Sequence, residues 1–164
     1  MVENLTPQCL EEACNFAKEL GDVKFIAGGT ETQTNDKPDY YVNLMALKDL
    51  QFVKFSKEEG GKIGAVTPLY NLVKSEAIKN QYEELYIVLN NISKNEKKGR
   101  GTLGGKIICM VPEVINELIK LNAKIYIRGS DHEYIIELKQ FIKEMKNILD
   151  PDEIISEIQI PISI

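Results

Sequence analysis

The sequence has few of the residues from which nucleophilic catalysts and metal centres are usually built. Its 164 residues include one histidine, His132, and three cysteines, Cys9, Cys14 and Cys109, with no C-x-x-C spacing. One histidine leaves little material for a Ser-His or Cys-His pair, and an odd number of dispersed cysteines suggests neither a disulfide framework nor a zinc knuckle. We therefore predict buried thiols, a solvated His132 in a turn, no catalytic side chain and no metal site.

A long apolar run and an excess of positive charge are also missing. No window approaches 18 consecutive apolar residues, and the first four residues form neither a basic nor an apolar leader. The 25 acidic residues outnumber the 20 Lys and Arg, so the net charge is -5. Such a chain has no overall positive field to hold nucleic acid or an anionic membrane. We expect a cytoplasmic protein without nucleic-acid or membrane partners.

The composition is that of a globular domain, with 43% apolar and 27% charged residues. A chain of this length buries roughly 70% of its unfolded surface in a single core. No repeat and no Pro- or Gly/Ser-rich linker divides it, so we expect one domain over residues 1–164. Helices and strands alternate, but a short hairpin-like turn joins two late strands, which favours a mixed α+β fold over parallel βαβ winding.

Periodicity and cap signals place the individual elements. The first helix is expected to start at Thr6-Pro7 and to stop at Gly21, and Thr67-Pro68 repeats the same start signal. Further helices are predicted at 69–74, 82–92, 112–122 and 138–145. Strands are predicted at 23–27, 40–44, 52–55, 62–66, 124–128, 134–137 and 154–162, and 107–111 is a short, β-prone apolar segment.

One string matches the G-x-G-x-x-G motif of dinucleotide-binding Rossmann domains. It runs from Gly99 to Gly104, but a polar segment precedes it and the β-prone residues 107–109 follow it. That motif needs a strand before the first glycine and a helix after the last, so the context argues against a Rossmann site. A phosphate-binding P-loop is disfavoured too, because Lys106 is followed by Ile107 and not by Ser or Thr.

Two glycine pairs remain, Gly28-Gly29-Thr30 and Thr102-Leu103-Gly104-Gly105, each next to an apolar segment. Turns of this kind offer backbone N–H groups without side-chain obstruction, and two of them brought together can form a nest for a diphosphate. The hydroxyl groups of Thr30 and Thr102 add donors. Two ordinary turns of an α+β domain would have the same composition.

Five segments of the chain occur in the order found in a known family: 25–30, 42–44, 63–67, 100–105 and 157–161. On these segments the chain resembles the FAD-binding (medium) subunit or domain of the molybdenum hydroxylases, which include xanthine dehydrogenase and carbon monoxide dehydrogenase. The resemblance implies an FAD-binding domain of the p-cresol methylhydroxylase/vanillyl-alcohol oxidase type. Such a domain has a small αβ lobe, expected here at about 1–55, followed by a second lobe with an antiparallel sheet and flanking helices, expected at about 56–164.

The resemblance also implies a site and a role. In the family the two glycine turns hold the FAD diphosphate from two sides. The flavin collects electrons from [2Fe-2S] clusters in a neighbouring subunit, after a molybdenum cofactor in a third subunit has hydroxylated the substrate, and passes them to NAD or another acceptor. The cofactor-binding residues carried over to this sequence are Ala27, Gly28, Gly29, Thr30, Glu31, Thr32, Gln33, Thr102, Leu103, Gly104, Gly105 and Lys106.

Several departures from the family pattern leave alternatives open. The segment Thr30–Thr34 is polar where the family continues with Thr-Asp and apolar residues, the Ser-Pro-x-x-Asp segment has no match, and Lys106 replaces an Asn or Ser. Since the sequence stops where the family's FAD domain ends, we expect a short form without the additional carboxyl-terminal domain. We therefore expect either an electron-transfer flavoprotein subunit or a non-catalytic assembly module that keeps the fold.

Two basic features each have two interpretations. Lys106 is either a replacement phosphate ligand or a solvated lysine beside a turn. The cluster before the second glycine turn either belongs to a solvated loop or raises the local potential where a diphosphate enters. That cluster consists of Lys94, Lys97, Lys98 and Arg100.

Overall fold

The structure is a computed structural model that describes residues 1–28, 37–95 and 101–162, without the side chains of 145–148. No helix of these residues is long and apolar enough to cross a membrane. The strands are β1 (Glu3–Leu5), β2 (Val23–Ile26), β3 (Tyr40–Asn43), β4 (Val53–Ser56), β5 (Gly60–Gly64), β6 (Lys124–Arg128), β7 (Glu133–Glu137) and β8 (Ile154–Ile160). The helices are α1 (Leu10–Leu20), α2 (Leu69–Leu72), α3 (Glu76–Gln81), α4 (Glu83–Asn95), α5 (Leu103–Ile108), α6 (Pro112–Lys120) and α7 (Leu138–Ile148).

A small parallel sheet, in the order β1-β3-β2, lies at the amino-terminal end of the sequence. Helix α1 packs against it through Ala13, Cys14 and Ala17, which lie on one face because they are spaced by one, three and four residues. A separate apolar cluster joins this layer to Leu44, Leu47 and other residues of the connection to β4. The small sheet therefore has its own core.

The larger sheet is antiparallel and has the order β4-β5-β8-β6-β7. Its main apolar cluster combines residues of β5, β6 and β8 with residues of helices α2 to α7. The strands β4 and β5 form one hairpin and β6 and β7 another, and β8 pairs with both hairpins. The combination of a small parallel sheet with an antiparallel sheet and flanking helices confirms the predicted α+β fold class.

Several local predictions need correction. Helix α1 is capped by Cys9, whose sulfur accepts from the Glu12 N–H at 3.4 Å, and not by Thr6. The Thr67 hydroxyl accepts from the Phe52 N–H and donates to the Phe52 carbonyl, so it caps no helix. The strand β1 and the helix α3 were not predicted, because each is a short polar segment without a clear apolar period. Of the three cysteines predicted to be buried, only Cys14 is, while Cys9 and Cys109 are exposed.

Tyr82, between α3 and α4, ties two strands of the large sheet together. Its hydroxyl accepts from the Gly61 N–H at 2.9 Å and donates to the Ile160 carbonyl at 3.0 Å. The residue is 4% exposed, and a Cβ on Gly61 would lie 3.0 Å from the Tyr82 ring. Gly61 therefore leaves the space that the phenol occupies at the β5–β8 pairing.

We expect Tyr82→Phe to lower the free energy of unfolding by about 2 kcal/mol, because it leaves a buried N–H and a buried carbonyl without their side-chain partner. Urea unfolding followed by circular dichroism measures the change. Tyr70→Phe is the matched control, because Tyr70 is 41% exposed. An equal, small effect of both substitutions would contradict a structural role for the Tyr82 hydroxyl.

Candidate functional site

The two predicted glycine segments, residues 27–33 and 102–106, each contribute residues to one cavity of about 500 Å³. The first contributes Ala27, directly after β2, and the second contributes Thr102, Gly104 and Gly105 at the start of α5. The remaining walls come from β2, from the residues after β5 and from the segment 149–155 before and within β8. A cavity of this size lies within the range of roughly 300 to 1,000 Å³ that is typical of small-molecule and cofactor sites.

The first glycine segment is described only as far as Gly28. Gly28 has a φ of +75°, a conformation that glycine adopts without the steric cost of a β-carbon. The predicted site residues Gly29, Thr30, Glu31, Thr32 and Gln33 lie outside the described residues, and so do Lys97, Lys98 and Arg100 of the basic cluster. Lys94 is described and lies near the end of α4.

The second glycine segment is the amino-terminal turn of a helix and not a free turn. Thr102 caps α5, since its hydroxyl accepts from the Gly105 N–H at 3.1 Å. The Gly104 N–H donates to the Ala65 carbonyl at 2.9 Å. The N–H groups of both glycines, which the sequence suggested as diphosphate donors, are therefore engaged within the chain. The Thr102 hydroxyl, which accepts in its cap bond, still has a proton to donate.

Gly104 is required here by packing. A β-carbon at this position would lie 2.9 Å from the Ala65 carbonyl oxygen and 3.0 Å from the Ala65 β-carbon. Real β-carbons essentially never come so close to a backbone atom, so any larger residue must push α5 away from the end of β5. Contact with Ala65 therefore excludes a side chain at position 104, whereas the sequence alone had suggested that a cofactor phosphate excludes it.

Lys106 is 2% exposed, so the interpretation as a solvated lysine is wrong. The segment 107–109 is also not a strand, because Ile107 and Ile108 complete α5. A helix thus accompanies the G-x-G-x-x-G string after all, although it begins at Leu103, before the last glycine. The element before the string is helix α4 where a Rossmann site has a strand, and the Rossmann interpretation still fails.

A buried carboxylate, Glu153, lies in another wall of the cavity. Its side chain is 2% exposed, it accepts from the Asp150 N–H at 2.7 Å, and its second oxygen lies 3.1 Å from His132 Nε2. His132 Nδ1 lies 2.7 Å from an Asp131 oxygen. His132 is therefore bonded through both ring nitrogens and is not simply solvated. No sequence pattern indicated this pair, because the two residues are 21 positions apart.

The surroundings of these groups shift their protonation equilibria. The hydrogen bond to Asp131, and after it the bond to Glu153, raises the pKa of His132 above its ordinary value. The same bond to His132 lowers the pKa of Asp131. Burial, followed by the hydrogen bond to Glu153, raises the pKa of Tyr134 to about 12. The cluster therefore favours a protonated imidazole on His132 and an ionised carboxylate on Asp131.

The mixed α+β fold has a cavity of the size typical of cofactor sites, and Ala27, Thr102, Gly104 and Gly105 line it. The profile of the family described as "FAD binding domain in molybdopterin dehydrogenase" matches residues 1–163. The chain belongs to this family, and its cofactor is FAD. The resemblance inferred from the sequence is thereby confirmed. Comparison with curated protein sequences gives no match.

Solved structures share the fold. A chain of the carbon monoxide dehydrogenase from Hydrogenophaga pseudoflava that lacks the Mo-pyranopterin moiety aligns over 99% of this chain with a TM-score of 0.89 and 21% identity. Quinoline 2-oxidoreductase from Pseudomonas putida 86 aligns over 99% with 0.87 and 21%, and reconstituted CO dehydrogenase from Oligotropha carboxidovorans over 100% with 0.86 and 18%. This chain covers 60%, 59% and 60% of those three chains, respectively.

The residues present fit FAD at this cavity. Its walls are mostly apolar, as the edge of a flavin or adenine ring requires, and the Thr102 hydroxyl and the backbone at Ala27 and Gly28 lie at the segments predicted to meet a diphosphate.

We expect Gly104→Ala to lower the free energy of unfolding by about 1 to 3 kcal/mol through overpacking against Ala65, and to weaken FAD binding because α5 moves at the cavity. Urea unfolding and FAD titration of the folded variant measure the two effects. Asn116→Ala, at an exposed position of α6, is the control and should change neither. A Gly104→Ala protein as stable as the parent would contradict the packing argument.

Proposed function

We propose that this chain is an FAD-binding electron-transfer subunit of a molybdenum hydroxylase-type oxidoreductase complex. The observation that supports this most is the cavity lined by Ala27 of the first segment and by Thr102, Gly104 and Gly105 of the second, in a chain of an FAD-binding family. The whole chain then acts as one FAD-binding domain, with the two sheets as its two lobes.

In this proposal the chain's residues bind and orient the cofactor. Residues 27–33 and 102–106 hold the diphosphate region, with the Thr102 hydroxyl as a donor and Gly28 shaping the backbone by its positive φ. Apolar residues of β2 and of the segment 149–155 exclude water from the rest of the cavity. When bound, FAD supplies the redox chemistry that the side chains lack, and no catalytic side chain is assigned.

The proposed partners are a [2Fe-2S] subunit and a molybdenum-cofactor subunit, with NAD or another molecule as the final acceptor, as in xanthine dehydrogenase. Support comes from the structural neighbours, which include a carbon monoxide dehydrogenase and a quinoline 2-oxidoreductase. A cytoplasmic location agrees with the three cysteines, which form no disulfide bond in the part of the chain that the structure describes.

One observation favours a second candidate, a non-catalytic assembly module with a degenerate site. The N–H groups of Gly104 and Gly105 already have acceptors within the chain, so this turn offers a diphosphate fewer donors than the sequence suggests. Co-expression with the two partner subunits separates the candidates. An electron-transfer subunit brings flavin into the purified complex in stoichiometric amount, whereas an assembly module forms the complex without flavin.

We expect Thr102→Val to weaken FAD binding by about tenfold or more, because it removes a donor from the cavity and the cap of α5. Thr102→Ser should restore most of the affinity. Flavin fluorescence titration of the purified chain measures both, with circular dichroism to confirm the fold.

Thr67→Val is the matched control. Thr67 is 2% exposed, and its hydroxyl bonds to Phe52 and not to the cavity residues, so its loss should lower stability without changing the affinity for FAD. Equal FAD affinities of the parent and the Thr102→Val variant would place the diphosphate elsewhere.

A further inference from the structure

The wall of the cavity formed by residues 149–154 is held from outside by the β6–β7 hairpin. Ser130 donates to Asp152 through its N–H at 2.9 Å and its hydroxyl at 2.7 Å, and His132 Nε2 lies 3.1 Å from Glu153. Glu153 in turn accepts from the Asp150 N–H. A chain of bonds thus runs from the hairpin tip, through a buried carboxylate, to the backbone of the wall. Asp150 and Glu153 themselves line the cavity.

The imidazole of His132 is held in the position that this bond requires. A β-carbon on Gly129 would collide with the ring, so the glycine leaves the space that the ring occupies. Tyr134 stacks on the ring, with an interplanar angle of 6° and 6.3 Å between centroids. The Gly129 N–H also donates to the His132 carbonyl at 2.8 Å and closes the turn. The ring is therefore oriented before any ligand is present.

We propose that His132 is a positioning residue, whose protonated imidazole fixes Glu153 and through it the 149–154 wall, so that protonation of His132 strengthens the binding of FAD. The inference rests on the proposed function, because it takes this cavity as the FAD site. His132 itself does not line the cavity, so its effect reaches FAD through Glu153.

The charges around His132 favour its protonated form. Two carboxylates, on Asp131 and Glu153, can both receive a hydrogen bond from the ring only when both of its nitrogens are protonated. Asp150 and Asp152 lie in the wall, and Lys18 lies 3.9 Å from Asp131. The other charged groups of the hairpin, Arg128 and Glu133, pair with each other at 3.6 Å.

These groups fix the direction of the pH dependence. The pKa of His132 is raised in the folded protein. The contribution of His132 to holding the wall is therefore complete below the ordinary histidine pKa of about 6.5, and it is lost as pH rises through the raised value. The pKa values of Asp131 and Asp152 are lowered, so both carboxylates remain ionised throughout the neutral range. Tyr134, with a pKa of about 12, does not ionise there. The wall should therefore loosen on the alkaline side.

The first test is FAD titration of the purified chain between pH 6 and pH 8.5. We expect the dissociation constant of the parent to increase by about two- to fivefold over this range, the scale of a partly exposed ion pair. His132→Gln keeps a donor for Glu153 but does not titrate, so its affinity should be independent of pH. Asp131→Asn removes the largest cause of the raised pKa and should move the midpoint of the parent's transition to lower pH.

Two precautions make the result specific. EDTA is present throughout, so that trace metal ions cannot contribute to the pH dependence. The second readout is hydrogen exchange at the Asp150 amide of the cofactor-free protein, which needs no FAD. In the parent, this exchange should accelerate with pH more than the intrinsic exchange rate does. In His132→Gln it should accelerate only as much as the intrinsic rate.

The two measurements separate failure of the inference from failure of the proposed function. If the parent and His132→Gln bind FAD with the same pH profile, the inference is overturned while the site stands. If the parent binds no FAD at any pH, the proposed site fails, and exchange at the Asp150 amide then decides the inference. Exchange that responds identically to pH in both proteins overturns it.

Discussion

The contact between Gly104 and Ala65 is the constraint on which the cavity depends. The Gly104 N–H donates to the Ala65 carbonyl, while the Ala65 N–H donates to the Ser156 carbonyl of β8. One residue therefore links helix α5 to the central strand of the large sheet. The neighbouring Leu69 N–H donates to the Gly101 carbonyl at 2.8 Å, which fixes the chain just before α5. Without a glycine at 104, the helix could not lie close enough to place Thr102 at the cavity.

Much of the larger sheet could be predicted from the sequence. The alternation of apolar and polar residues in Lys124–Arg128 gave the bounds of β6, and Pro112 marked the start of α6, because these signals are local and agree with the packing. Helix α5 was not predictable, since Leu-Gly-Gly-Lys-Ile-Ile combines two glycines with two β-branched residues and has low helix propensity. Its helical form depends on the Thr102 cap and on tertiary contacts with Ala65.

Part of the candidate site could also be predicted, because some of its sequence signals are local. Glycine pairs beside apolar segments can be recognised in the sequence, and in the structure Ala27, next to the first pair, and Thr102, Gly104 and Gly105 of the second pair line one cavity. Three other features of the site could not be predicted: the hydrogen bond of the Gly104 N–H, the burial of Lys106 and the His132–Glu153 pair. Both bonds join residues that are distant in the sequence, and no local sequence pattern indicates the burial of the lysine. Such contacts depend on the order of β8 and the hairpins in the sheet, and no local sequence periodicity encodes that order.

The position of β8 has a consequence for how the protein is made. It is the last strand of the described chain, yet it lies in the middle of the large sheet and pairs with β5, some ninety residues earlier, as well as with β6. Pairings between residues so distant in sequence form slowly, because the entropy of closing the loop is lost before the contacts form. During synthesis the β4–β5 and β6–β7 hairpins must wait with unpaired edges until β8 emerges. Nascent chains in that state are open to edge-to-edge association, so yield should depend on translation speed and chaperones more than on final stability.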